Sequence, residues 1–413
     1  MTGGHETDST NSSPSDETVA DVFRSDRGWF LFALGFGWFL TLGSRFLVPA
    51  LLPIIKTEFT LQNAGAGIIV TVMWLTYGGM QYPAGVLTDR IGERALLGAS
   101  TLLASLSMVG FALAPSFGWF LVAAAIFGIS TGLFGPARGT ALSKRFEQFE
   151  GLAFGLVLGA GSIGAATLPL MATLITEQFG WRLAIGVVGP AFFVSGIALL
   201  VVVPKTLPGT VPAGSVVEGV RQSIVAIRTR RIVLALGGIV IMLFIYQGFT
   251  AFYPTYLQAE GGLSQTASNS LYALLFLVGG FFQLSAGRLA DHFGYRWVLV
   301  GVSFVSIFPL LWLPSIASFG WFAVVTVLIA IRMALQPMMN AYILAALPEE
   351  MRGAIWGFLR TGFFILGAFG SVAVGGFADL GYFDGAIYAL AVFTALGGFL
   401  FYLLPRKTPE SPG

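Results

Sequence analysis

Apolar and polar residues scarcely alternate along this chain; the apolar ones run on. Twelve stretches, at about residues 29–55, 65–87, 95–114, 119–142, 151–175, 183–203, 232–257, 268–287, 297–315, 320–346, 354–378 and 385–404, are nearly free of charge. Each has about the 20 residues with which a helix rising 1.5 Å per residue crosses a hydrocarbon core of about 30 Å. A helix on a soluble protein would show one apolar stripe and one polar face, and these stretches are mostly apolar all round. The pattern predicts an all-α polytopic membrane protein with twelve transmembrane helices.

The polar interruptions repeat. Gly85-Val86-Leu87-Thr88-Asp89-Arg90-Ile91-Gly92-Glu93-Arg94 lies between the second and third stretches, and 202 positions on comes Gly287-Arg288-Leu289-Ala290-Asp291-His292-Phe293-Gly294-Tyr295-Arg296. Ser116-Phe117-Gly118-Trp119-Phe120 returns at the same spacing as Ser318-Phe319-Gly320-Trp321-Phe322, and Gly151 and Gly155 return as Gly353 and Gly357. Such self-similarity makes the chain a duplicated unit. It divides into a polar tail, 1–28, expected to be disordered and cytoplasmic; a six-helix bundle, 29–203; a cytoplasmic linker, 204–231, with three prolines and Arg228, Arg230 and Arg231; a second, pseudo-symmetric six-helix bundle, 232–404; and a cytoplasmic tail, 405–413.

Charge settles orientation. Only 10% of the residues are charged, and alternate connections divide them unevenly. One set holds Arg90, Arg94, Lys144, Arg145, Lys205, Arg221, Arg228, Arg230, Arg231, Arg288, Arg296 and Arg352; the other holds only Lys56 and Arg182. The positive-inside rule then puts both termini in the cytoplasm of a multi-pass protein of the plasma membrane. The chain has no cysteine, and its two histidines, His5 and His292, fall in the tail and in a loop. No nucleophile–base pair or metal cluster is therefore expected in the spans, so the reading is a non-enzyme without cofactor or metal. Trp29, Trp119, Trp181, Trp297 and Trp321 stand at span ends, as interface anchors do. Gly155, Gly159, Gly164, Gly367, Gly370, Gly375 and Gly376 are expected to let helices approach closely.

Two six-helix halves, each with Gly-x-Leu-x-Asp-x-x-Gly-x-Arg after its second span, resemble the major facilitator superfamily of transporters. The resemblance covers residues 29–404. It implies alternating access, in which the halves rock about a midplane site and the repeated loop latches the cytoplasmic side. The latch would comprise Gly85, Asp89, Arg90, Gly92, Arg94, Gly287, Asp291, Gly294 and Arg296. Asp89 would meet the positive N-terminal end of the eleventh helix near Gly353, and Asp291 that of the fifth near Gly151. Arg94 would pair with Glu147 or Glu150. A sensor built on the same scaffold, without flux, is the alternative of another class.

What the halves do not share marks the cargo. Arg45, Arg138, Arg332 and Arg360 lie inside stretches, and their counterparts at the 202-residue offset are Gln247, Asn340, Ser130 and Leu158. Each mid-span arginine opposes insertion by roughly 2.5 to 3.5 kcal/mol if it faces lipid, so four are not incidental. In the family, the stretches that carry them line the central cavity. All Asp and Glu fall in tails, loops or span ends, so the arginines have no internal counter-ion. A guanidinium binds carboxylate, phosphate or sulfonate through a planar fork and stays charged. The expected cargo is a small, organic or inorganic anion held by Arg45, Arg138, Arg332, Arg360, Gln247 and Asn340. Tyr77, Gln81, Tyr246, Phe249, Phe252 and Tyr253 would add walls. Arg45 and Arg138 also fall where the anion:cation symporter branch carries its anion-binding arginines, whereas Arg332 and Arg360 depart from that pattern. A proton, a sodium ion or a counter-anion would couple transport by a protein working as a monomer in the lipid bilayer, with no nucleic-acid partner. Export of drugs or other hydrophobic compounds is the alternative within transport.

Overall fold

The computed structural model describes residues 26–205, 221, 229–347 and 352–405, the side chains of the last segment from 355 onward. Residues 1–25 and 406–413 of the predicted tails, most of the linker including Arg228, and the side-chain surroundings of Gly353 lie outside the described residues, whereas 26–28, expected to be disordered, belong to the first helix. Within them every element is helical. In chain order these are α1 Asp26–Glu58, α2 Asn63–Gly79 continued by Gln81–Ile91, α3 Glu93–Ala112, α4 Phe117–Arg145, α5 Glu150–Phe179, α6 Trp181–Val202, α7 Arg230–Ala259, α8 Gln265–Phe293, α9 Tyr295–Ser315, α10 Phe319–Ala346, α11 Arg352–Gly367 continued by Phe369–Asp379, and α12 Phe383–Tyr402.

Eleven of these are long and apolar enough to cross a membrane. The one that falls short is α2, which breaks at Met80 into pieces of 17 and 11 residues. Pro83 accounts for the break. It sits in the first turn of the second piece, and its ring nitrogen cannot donate to the carbonyl of Gly79. The same cause recurs in the second half of the chain. Pro309 follows the break of α9 at Ser306, and Pro337 follows the 3-10 turn Ile331–Ala334 inside α10.

Large apolar side chains point outward on the outer helices, among them Leu106 on α3, Val201 on α6, Phe308 on α9 and Val392 on α12, each more than 60% exposed. Such a surface suits lipid and not water. Trp29, Trp119, Trp297 and Trp321 are exposed with them, as anchors should be. Trp181 is not. It is 4% exposed and lies edge-on to Phe59 and Phe120, so it is a packing residue.

Helices α1 to α6 pack among themselves, as do α7 to α12; the two sets meet where α2 runs against α11, α5 against α8 and α1 against α7. Glycine sets the closest approaches. A Cβ on Gly43 of α1 would lie 2.5 Å from the carbonyl oxygen of Gly164 on α5, and one on Gly248 of α7 would lie 2.8 Å from that of Gly370 on α11. Gly367 and Gly375 are similarly crowded, whereas Gly155, Gly159 and Gly376 face open space. The second glycine of each repeated loop has a different reason to be glycine. Gly92 and Gly294 end α2 and α8 at φ of 83° and 78°, where a side chain would strain the turn.

Candidate substrate cavity

A cavity of about 480 Å³ lies between the two sets of helices. Arg45 of α1, Arg138 of α4 and Arg360 of α11 line it, together with Tyr77, Tyr246, Gln283, Gln336 and Asn340. Among the described residues no carboxylate does. Aromatic rings hold the guanidiniums by their faces. Arg138 lies 3.8 Å over Trp38, Arg45 lies 4.0 Å over Tyr77, and Trp38 and Trp74 flank Arg45 at 5.5 and 5.4 Å. Phe364 joins the sides of the cavity, stacking on Trp74, meeting Tyr77 edge-on and lying 5.6 Å from Arg360.

Stacking on a ring face stabilises a cation without occupying its N–H edge. Some of these edge N–H groups have no partner. Arg45, 7% exposed, donates to the carbonyl of Thr131 at 3.3 Å through Nη2, while its Nε has no partner. Nε and Nη1 of Arg138 and Nε of Arg360 also lack one. Three guanidiniums with unpartnered, buried N–H groups thus border a space that no carboxylate among the described residues lines. N–H groups of this kind pair most strongly with carboxylate, phosphate or sulfonate oxygens.

Two residues grouped with these by sequence stand elsewhere. Arg332 turns away from the main cavity and donates through Nη1 to Ser306 Oγ at 2.9 Å and Thr394 Oγ1 at 3.0 Å, on α9 and α12. It borders only a small side pocket of about 30 Å³. Gln247 is fully buried on α7 with neither side-chain polar atom bonded, outside the cavity wall. Phe249, Phe252, Tyr253 and Gln81 are also core residues and not wall. Gln283, Gln336 and the indoles of Trp38 and Trp74 are additions that sequence reasoning missed. For the indoles the signal was spacing: Trp38 precedes Arg45 by seven residues and Trp74 precedes Tyr77 by three, which puts each pair on one helix face.

A model of the Major Facilitator Superfamily matches residues 34–334 and 257–413. The chain belongs to the Major Facilitator Superfamily. It is 27% identical over 368 residues to the fosmidomycin resistance protein of Escherichia coli K12, covering 87% of this chain and 88% of the relative. It is 28% identical over 246 residues to the fujikurins efflux protein of Gibberella fujikuroi, covering 57% and 50%. Its fold resembles the crystal structure of a bacterial homologue of the human lysosomal transporter Spinster in an inward-facing, unoccupied conformation, with a TM-score of 0.75, 16% identity, and 94% and 100% of the two chains covered.

This superfamily member is shut at one end and parted at the other. At the end bearing Lys56 and Arg182, Asp379 of α11 accepts the N–H groups of Asn63 and Ala64 of α2, and Asn269 of α8 donates to Thr173 of α5 at 2.7 Å. Toward the basic end α2 and α11 stay joined as far as Tyr82, whose N–H donates to Thr361 at 3.2 Å. Between α5 and α8 close contact reaches Ser162 and Gly280, and toward the basic end Gly155, Gly159 and Gly287 have open space beside them. The cavity therefore opens to the basic end.

The repeated loops lie at that parted end. Gly85, like Gly287, has open space around it, and Asp89, Arg90, Gly287, Asp291 and Gly294 are exposed. Among the described residues no ion pair joins Asp89 or Asp291 to another helix. Arg94 pairs with neither Glu147 nor Glu150; the neighbouring Glu93 instead takes Lys144 at 2.5 Å, and Glu150 accepts from Ser143. Arg296 binds the carbonyl of Tyr402 at 2.6 Å and stacks on Trp297 and Tyr402, pinning α9 to α12.

Proposed function

We propose that the chain is a secondary transporter that carries a small organic anion across the plasma membrane by alternating access. The observation that carries this reading is the trio Arg45, Arg138 and Arg360, stacked on rings in one cavity with unpartnered N–H groups and no carboxylate among the described residues. Buried charge of one sign is costly, and an anion from solution removes that cost. Asn340 and Gln336 add neutral donors beside it. Counting the interrupted α2 as a span gives twelve helices in two six-helix bundles. The basic residues at the parted end support a cytoplasmic location for the termini, which makes the present conformation inward-open. Exposed Asp89 and Asp291 fit a latch that engages only when this end closes. The names of two relatives, a resistance protein and an efflux protein, support outward movement of the anion, as symport or antiport by a monomer.

The test is flux into proteoliposomes over monocarboxylates, dicarboxylates, sugar acids, phosphate and sulfonates. Saturable transport of one class, lost when Arg138 or Arg360 is replaced by Gln, is expected. Transport confined to cations or neutral sugars overturns the anion reading. Export of uncharged hydrophobic compounds is a second reading, supported by Leu42, Leu158, Ile163, Leu277 and Phe281 in the wall; such export would survive Arg138→Gln.

A further inference from the structure

Two carboxylates that the duplication makes a pair stand at the shut end of the bundle. Asp379 stands 202 residues after Glu177, and each lies in the last turn of its helix, α11 and α5. The oxygens Oδ1 and Oδ2 of Asp379 accept the backbone N–H groups of Asn63 at 2.6 Å and Ala64 at 2.8 Å. Those are the first residues of α2, whose own N-cap, Gln62, makes no side-chain capping bond. The opening N–H groups of a helix have no partner within it, so α11 supplies from across the bundle the cap that α2 lacks. Gly375 makes room, since a Cβ there would lie 2.5 Å from the carbonyl oxygen of Asn63.

Gln265 and Thr266 of α8 occupy the repeat positions of Asn63 and Ala64. Thr266 Oγ1 donates to Glu177. Here the contact is to a hydroxyl and not to backbone, because α8 is capped already: Ser264 Oγ accepts the N–H of Ala267 at 3.2 Å. Neither carboxylate is committed to a cation. Among the described residues the two basic groups of this end are engaged otherwise, Arg182 with Glu58 at 2.7 Å and Lys56 with Asn63 Oδ1 at 2.8 Å. An exposed carboxylate on a helix N-terminus is held by a partial charge that water readily replaces. Such a contact forms and releases without stripping a buried ion pair.

We propose that Asp379 and Glu177 form a duplicated gate that holds the end opposite the basic loops shut and lets go once in each transport cycle. The proposal rests on the alternating-access reading and extends it to the other face of the protein. Helices α2 and α11 then cap one another at opposite ends, Asp379 serving α2 in this conformation and Asp89 serving α11 in the other.

The native chain has no thiol, so a single cysteine reports alone. Ser371→Cys places it on α11, fully buried against Thr71 of α2 and behind the gate. Its labelling by a membrane-impermeant maleimide, applied on the face away from the termini, measures how often that face opens. Asp379→Ala together with Glu177→Ala is expected to speed labelling at least tenfold, and either change alone less. Asp379→Glu is expected to label like the parent, as is Glu58→Gln, which removes a carboxylate of the same face that is not in the gate. The single and double alanine variants, monodisperse and with the parent's melting temperature, labelling at the parent rate overturn the gate. Labelling needs no cargo. Faster labelling with a failed anion screen sinks the cargo and leaves the gate; unchanged labelling with saturable anion flux does the reverse.

Discussion

Replacing Arg138 by Gln tests the cavity most directly. Its guanidinium lies 3.8 Å over Trp38, with Nε and Nη1 unpartnered. A hydrogen bond to a charged group contributes about 1.5 to 3 kcal/mol, so losing both, with one neutral amide donor in exchange, weakens anion binding by about 3 kcal/mol. That is roughly a 150-fold rise in Kd. Arg138→Lys keeps the charge but loses the planar fork, and a rise of about tenfold is expected. Stability should move the other way. An unpaired buried cation costs free energy in the empty protein even with a ring beneath it, so the Gln variant without ligand should melt no lower than the parent. Titration of purified protein gives Kd, proteoliposome flux gives KM, and a thermal melt with and without anion gives the third quantity. A Gln variant that melts lower yet keeps its KM within threefold refutes the reasoning, because Arg138 would then be a structural cation.

Arg332→Gln should leave KM within about twofold while costing about 1 to 3 kcal/mol of stability, since it breaks bonds to Ser306 and Thr394 outside the cavity; a large KM change with normal melting would contradict that placement. Asp89→Asn should cut flux several-fold and leave the melting temperature of this conformation unchanged, because Asp89 is solvent-exposed here; normal flux by that variant counts against the latch. Gly164→Val should reduce the yield of monodisperse protein, with a loss of about 3 kcal/mol or more, because there is no space for a side chain between α5 and the backbone of α1. Gly92→Ala should destabilise the turn at φ 83° by about 1 kcal/mol, read as a lower melting temperature.

The helices were legible because an apolar run of this length has one stable state in lipid, and the duplication was legible because five positions of the loop recur in register. Arg45, Arg138 and Arg360 were legible for the same physical reason, since a charge inside such a run has to find water or an ion. Arg332 obeyed the rule differently. Its hydroxyl partners, Ser306 and Thr394, come from stretches whose adjacency only the packing reveals. Breaks in α2, α9 and α10 were written in Pro83, Pro309 and Pro337, although apolar counting passes over a proline. Trp181 misled because a tryptophan at a span end reads as an anchor, and only the rings of Phe59 and Phe120 make it core. Glu93 rather than Arg94 makes the link, and to Lys144 rather than Glu147 or Glu150, a pairing that loop spacing alone does not resolve.

The indoles beside the guanidiniums have a practical consequence. Trp38 and Trp74 sit within ring contact of Arg45, and Trp356 lies 5.7 Å from Arg360. Indole emission responds to a cation held over the ring, and a ligand that draws the cation aside alters it. If an anion binds there as proposed, ultraviolet excitation of the unmodified molecule should report it, without dye, radiolabel or mutation.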